Sequence, residues 1–243
     1  MKLKFPYDAV ETEDKKMGMF SRKDMVRLFG PLLVEQLLAV LVGMADVVMV
    51  AAVGETAVSG VALVDSISVL VIQVLSAMAT GGAVVCAQYI GKKRQDQACR
   101  AAGQLVLITA VLSLLIASAA FIGNRHLLRL IFGSVEAEVM DNAATYFWFT
   151  AMSYPFLALY NSGAALFRSM GNSKVSMKVS LAMNVINVAG NALCVFGLRM
   201  GVEGVAIPTL LSRMFAAVVM VLLVRSPKNS IRVNRLSQLI PQP

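Results

Sequence analysis

Charge is scarce in this sequence: only 15% of the 243 residues are Asp, Glu, Lys or Arg, against 58% hydrophobic. That balance is too apolar for an ordinary soluble domain. Histidine is nearly absent, with His126 alone. The three cysteines, Cys86, Cys99 and Cys194, match neither a metal-ligand spacing nor a paired disulfide framework. The cysteines are therefore expected to be packing residues, and His126 a solvated residue of an outer loop. No nucleophile stands with a base, no histidines are spaced for a metal, and no phosphate-binding loop is present, so an enzyme is the least expected class. The apolar runs also lack the two-residue alternation of barrel strands, which excludes a membrane β-barrel.

What is present are long uncharged stretches separated by short charged clusters. Each stretch matches the roughly 20 residues a helix needs to cross hydrocarbon, where backbone groups must satisfy one another. They predict an all-α integral membrane protein, a bundle of six transmembrane helices over residues 28–224. The expected spans are Leu28–Val53, Val58–Ala87, Ala98–Ile122, Ala143–Leu166, Val175–Leu198 and Val205–Val224. Gly81 and Gly82 are expected to bend the second span or end it early. Residues 1–27 are charged throughout and the first apolar run is too long for a signal core, so no cleaved signal is expected.

The net charge of +8 does not point to nucleic acid, because the basic residues are sorted. The N-terminal segment, the loops after the second and fourth spans, and the 225–243 tail hold 18 of the 22 lysines and arginines. Arg125, Arg129 and Arg199 fall on the opposite side and Arg213 inside a span. The positive-inside rule then predicts that both termini are cytoplasmic; a multi-pass protein of the plasma (inner) membrane is expected, with lipid as its first partner. Tyr146, Phe147, Trp148 and Phe149 read as an interfacial aromatic belt at the outer end of the fourth span. Gln36 and Gln73 are expected to hydrogen-bond between helices.

An ionisable residue inside a span costs about 3 kcal/mol on insertion scales, so each asks for a reason. Four such residues are Glu35 and Asp46 in the first span, Asp65 in the second and Arg213 in the sixth. Glu35 and Asp46 lie eleven residues apart in the sequence, about three turns, and so share a face. Asn184, Asn187 and Asn191 form one polar stripe on the fifth span, and Thr209 and Arg213 share a face of the sixth. Counting along the helices brings Asp46, Asp65, Asn187, Asn191, Thr209 and Arg213 to overlapping depths in the outer half. Two readings stand: an internal site at which Asp46 exchanges a proton or holds a monovalent cation such as Na+, or hydrogen-bonded glue between helices. Arg213 is expected to pair with Asp46 or Asp65, while Glu35, nearer the cytoplasmic face, is expected to be partly hydrated. Pro31 and Gly43 are places where the first helix could bend, and Pro208 is expected to disturb the sixth.

Several motifs, in order, resemble the multidrug and toxic compound extrusion family. They are Pro31 through Asp46 followed by Val53-Gly54-Glu55-Thr56-Ala57; Ala79-Thr80-Gly81-Gly82 and Ala87-Gln88-Tyr89-Ile90-Gly91; Phe167-Arg168-Ser169-Met170-Gly171-Asn172; and Gly201-Val202-Glu203-Gly204-Val205-Ala206 with Thr209. The resemblance implies an antiporter that exports drugs or organic cations by alternating access, driven by inward protons or sodium and using no cofactor. It places the coupling cation at Asp46, Asn187, Asn191 and Thr209, and Asn161 at the substrate cavity; Pro31, Glu35, Asp65 and Arg213 are expected to be cavity or gating residues from their own positions in the spans. Asn191 stands where the best-known members carry aspartate. The family has twelve helices in two lobes. The chain thus matches the first lobe, with 225–243 as a basic linker, and implies a missing six-helix lobe or a second copy as partner. A lipid-linked oligosaccharide flippase of the same superfamily is the alternative cargo class, although one arginine is few for a pyrophosphate. A non-transporting six-helix membrane scaffold is the alternative of another class.

Overall fold

The structure, a computed structural model, describes residues 22–226 and Ile231. Six helices follow one another: α1 Arg22–Ala51, α2 Glu55–Gly91, α3 Gln95–Phe132, α4 Ala137–Ser169, α5 Ser173–Ala192 and α6 Glu203–Val224, with a π-helical turn Leu193–Gly197 ending α5. No strand occurs among the described residues. The six expected spans all appear as helices, and short connections make chain neighbours antiparallel. The segment before Arg22 and most of the basic linker lie outside the described residues.

α1, α2, α3, α5 with its π-turn, and α6 are each long and apolar enough to cross a membrane. α4 is the exception, and its position explains why. It lies at the centre of the bundle, packed on α2, α3, α5 and α6, so its residues face other helices and can be polar. The surface bears out the membrane reading: Leu33, Leu37, Leu70, Leu115, Ile122, Val185 and Leu222 are exposed large apolar residues on five different helices, a pattern that lipid, not water, accommodates.

The core divides into two apolar clusters. One gathers Val50, Val61, Val64, Met140, Phe147, Tyr154 and Val205 towards the α1–α2 connection. The other gathers Cys86, Cys99, Leu105, Tyr160, Phe167 and Met220. Buried hydroxyl pairs join the helices in the same bundle: Ser68 with Tyr154 at 3.0 Å and Thr109 with Ser162 at 2.7 Å. Such bonds supply the specific contact that apolar burial cannot supply in lipid. Cys86 and Cys99 are buried and Cys194 is half-buried, in keeping with packing roles.

Several local expectations need correcting. α2 runs unbroken through Gly81 and Gly82 to Gly91. The adjacent glycines point in different directions: a Cβ on Gly82 would meet Leu105 Cδ1 at 2.4 Å, whereas one on Gly81 would meet nothing within 4 Å. Gly82 is therefore a close-approach residue, not a breaker. Gly81→Ala is expected to leave the melting temperature in detergent unchanged or raise it, since alanine is favoured over glycine in a helix by up to about 1 kcal/mol. Gly82→Ala is expected to lower it. α1 is one helix through Pro31 and Gly43, and α6 is one helix through Pro208. Pro208 packs against Gly190, where a Cβ would lie 2.7 Å from the ring. α3 extends to Phe132 and carries His126 on an exposed helical face instead of in a loop. Finally, Tyr146 and Phe147 are buried, and only Trp148 of that run is exposed, against Phe121 and Phe149. Gln36 and Gln73 are exposed and do not join helices among the described residues.

The α4–α5 connection shows why its motif has the residues it has. Asn172 N–H reaches the Phe167 carbonyl and Gly171 N–H the Arg168 carbonyl, both at 2.9 Å, with Gly171 at φ 74°. This is a Schellman-type helix end, whose left-handed residue is normally glycine. α5 then starts at Ser173.

Candidate cation site

α1 packs chiefly on α5, and that contact assembles the site. Asn191 Nδ2 donates to Asp46 Oδ1 at 2.8 Å and to Asn187 Oδ1 at 3.4 Å. Asn187 Nδ2 donates to Thr209 Oγ1 at 2.9 Å, and the Thr209 hydroxyl donates to the Val205 carbonyl at 2.8 Å. The chain Asp46–Asn191–Asn187–Thr209 thus links α1, α5 and α6 through the four residues expected to act together. Asn191 and Asn187 are buried. The π-turn begins two residues after Asn191 and is closed by Leu198 N–H to the Leu193 carbonyl at 3.0 Å. Such turns occur often at functional positions.

Asp46 borders a cavity of about 280 Å³, together with Gly43, Val50, Asp65, Tyr146, Thr209 and Arg213. Asp65 comes from α2 and accepts a hydrogen bond from the Tyr146 hydroxyl at 3.5 Å. Arg213 shares the cavity but pairs with neither carboxylate: its Nη1 donates to Ser153 Oγ at 2.6 Å, and the ion pair found among the described residues is Arg125–Asp141. The expected Arg213–aspartate pair is therefore corrected. Ser153 on α4 holds the guanidinium, leaving the two carboxylates and one arginine spaced around a shared opening.

The donor set is chemically specific. Asp46 supplies a carboxylate, and Asn191 Oδ1 is a buried acceptor with no hydrogen-bond partner. A buried acceptor without a donor costs about 1–3 kcal/mol, and a cation is one group that would satisfy it. Carboxylate, amide and hydroxyl oxygens are hard donors, suited to a proton or a small hard cation instead of a thiol- or imidazole-seeking metal.

Other expected residues lie elsewhere. Glu35 does not line the cavity; it accepts from the Tyr160 hydroxyl at 2.9 Å and from the Ser176 hydroxyl at 3.3 Å. It is held by protein groups on α4 and α5 and stays half-exposed. Pro31 lies one turn before it. Asn161 is half-buried on α4 next to Tyr160 and does not line the cavity. Tyr146, Ser153, Tyr160 and Ser176 are the residues that sequence reasoning missed. Ser176 alone carried a signal, since with Ser173 and Ser180 it continues the asparagine stripe at helical spacing.

The MatE family profile matches residues 31–193. The chain belongs to the MatE family. It is similar to the uncharacterized transporter YisQ of Bacillus subtilis (strain 168), 28% identical over 215 residues, which make up 87% of this chain and 46% of YisQ. It is also similar to the probable multidrug resistance protein NorM of Thermotoga maritima, 27% identical over 203 residues, covering 81% of this chain and 43% of that protein. Among solved structures, a MOP superfamily transporter from Pyrococcus furiosus superposes with a TM-score of 0.84 at 19% identity, over 90% of this chain and 48% of that one. A MATE family transporter in its outward-facing conformation superposes at 0.83 with 20% identity over the same shares. These superpositions establish the MATE fold for the bundle. The chain spans about half the length of the curated relatives it matches.

Proposed function

We propose that this MatE-family chain forms one lobe of a cation-coupled antiporter that exports drugs or organic cations by alternating access. The observation that supports this most is the Asp46 cluster: a carboxylate beside a cavity, held by an asparagine whose own buried acceptor has no partner. Cation or proton occupancy changes the charge of Asp46 and therefore its bond to Asn191, which ties α1 to α5. A site whose occupancy alters a helix contact biases one conformation over another, as coupling requires.

The positive-inside distribution supports cytoplasmic termini and an outer-half Asp46 in the plasma membrane. Half the length of its relatives supports a second six-helix lobe, or a second copy, as the other wall of the cleft. The names of the relatives support transport, and drugs among the cargoes. One arginine in the cavity favours a cationic or amphipathic substrate over a lipid-linked pyrophosphate. The coupling ion is a proton or sodium, and the chemistry asks for no cofactor and no catalytic residue.

Cells carrying the native protein and loaded with a cationic dye are expected to export it until ionophores collapse both the proton and sodium gradients, after which export should stop. Export that continues at its original rate without either gradient would refute the coupling. Glycolipid export with no dye export would move the cargo to the other class, and neither activity would leave a scaffold.

A further inference from the structure

The polar stripe on α5 is longer than the site it serves. Ser173, Ser176, Ser180, Asn184, Asn187 and Asn191 recur every three or four residues. At about 100° per residue they fall within an arc of about 80° along the whole helix. Four of the six, Ser173, Ser176, Ser180 and Asn191, are at most 4% exposed. The seam meets α1 at two carboxylates, Asp46 opposite Asn191 and Glu35 opposite Ser176. Both contacts are parallel in sense, so Glu35 and Asp46 stand on one face about 16 Å apart along α1.

Glue alone does not account for the pattern. Of the five buried polar side-chain atoms without a hydrogen-bond partner among the described residues, three lie on this seam: Ser173 Oγ, Asn184 Nδ2 and Asn191 Oδ1. A seam that existed to bond helices together would use them, since each idle buried group costs about 1–3 kcal/mol. Ser173 is 1% exposed and Asn191 fully buried. Successive groups rise about 4.5–6 Å, a gap that one bridging water closes. Hydroxyls accept and donate alike, and amides coordinate through oxygen. At the far end the Glu35 carboxylate is positioned by the buried phenol of Tyr160 and by the Ser176 hydroxyl, both of which donate to it.

We propose that the α1–α5 seam carries the coupling cation between the Asp46 site and the end of the bundle where α5 begins, with the Glu35 carboxylate as its second station. This rests on the reading of Asp46 as the coupling site. A cation leaving Asp46 passes Asn187 and Asn184, then the serine hydroxyls, and meets a second negative charge at Glu35 before release. Two stations let the ion leave the outer site without crossing apolar packing as a bare charge.

The test uses the native protein in proteoliposomes, with export turnover and equilibrium cation occupancy measured separately. Glu35→Gln keeps the size and hydrogen-bond acceptor of the side chain but removes its charge. It is expected to slow turnover about tenfold while leaving occupancy of the Asp46 site within about twofold, and Glu35→Asp should restore most of the rate. Tyr160→Phe loosens the hold on Glu35 but keeps its carboxylate, so it should retain about half of the turnover or more. A Tyr160→Phe protein as slow as Glu35→Gln would make Glu35 a tether and overturn the proposal. Turnover of Glu35→Gln at the wild-type rate, with Asp46→Asn inactive, would also overturn it and spare the coupling site. If both variants export normally, the coupling site itself fails. Should Glu35→Gln not reach the membrane, Ser180→Ala removes one hydroxyl from the seam and is expected to slow turnover about threefold; an unchanged rate there counts against the seam.

Discussion

Asp46→Asn is expected to lower coupled export by about 100-fold or more while the protein inserts and folds. The substitution is nearly isosteric, and its carboxamide oxygen can still accept from Asn191 Nδ2, so the α1–α5 contact at 2.8 Å survives. What disappears is a full negative charge. Opposite charges about 4 Å apart attract by about 4 kcal/mol at an effective dielectric near 20, which in cation occupancy is about a thousandfold. Part of that is offset by the solvation the cation keeps, hence the lower figure. Stability should hold or rise, because removing a partly buried charge relieves its desolvation cost. The informative measurement is dye export alongside melting temperature and surface expression. An Asp46→Asn protein that exports like wild type at equal expression would remove Asp46 from coupling. A loss of export accompanied by a lower melting point would show that Asp46 acts as a structural bond.

The Asp46 cluster was legible because helical spacing is rigid. Eleven residues from Glu35 to Asp46, and the three- and four-residue steps of the α5 asparagines, place side chains on faces and at depths with no further information. That was enough to bring Asp46, Asp65, Asn187, Asn191, Thr209 and Arg213 to overlapping depths, and the family resemblance singled out Asp46, Asn187, Asn191 and Thr209 among them. What spacing does not give is the rotation of one helix against the next. Arg213 illustrates this: its depth placed it beside two carboxylates, but its rotation turns the guanidinium to Ser153, a small neutral residue with nothing in the sequence to mark it. The run Tyr146 to Phe149 has the same difficulty, because four consecutive helical residues point around the full circle. Some must face inward, and burial of Tyr146 and Phe147 puts the Asp65 partner there. Adjacent glycines behave alike: Gly81 and Gly82 are indistinguishable in sequence, yet only one opposes a neighbouring helix. α4 is not apolar enough to read as a lipid-facing span, for the opposite reason. Its polar residues are legible as polar, but only the packing shows that lipid does not meet them.

Gly60→Val is expected to prevent recovery of a folded protein in mild detergent, and Gly60→Ala to lower its melting temperature clearly. α2 packs on α4 more extensively than any other pair of helices packs, and Gly60 faces α4 within that contact. A Cβ there would lie 2.9 Å from the Ala143 nitrogen, 2.9 Å from the Val139 carbonyl oxygen and 3.0 Å from Asn142 Cβ. Two of those three are backbone atoms, which cannot rotate aside as Leu105 can beside Gly82. The helices must separate instead. Overpacking of a core typically costs about 1–3 kcal/mol for added methylenes that side chains can absorb, so a rigid opposing backbone puts alanine in that range and valine beyond it. In lipid the loss is not recovered by apolar burial elsewhere, because helices separated there lose van der Waals contact without exposing surface to water. The effect also reaches the site. Val58, Val61, Ala62 and Asp65 line the cavity from α2, and Tyr146 follows Ala143 on α4 by one turn, so parting the helices lengthens the Tyr146–Asp65 bond of 3.5 Å. Gly43→Ala is the matched control, since a Cβ there meets nothing within 4 Å; it should melt as wild type does. Equal melting of Gly60→Val and wild type would show that α2 and α4 do not approach as closely as this packing requires.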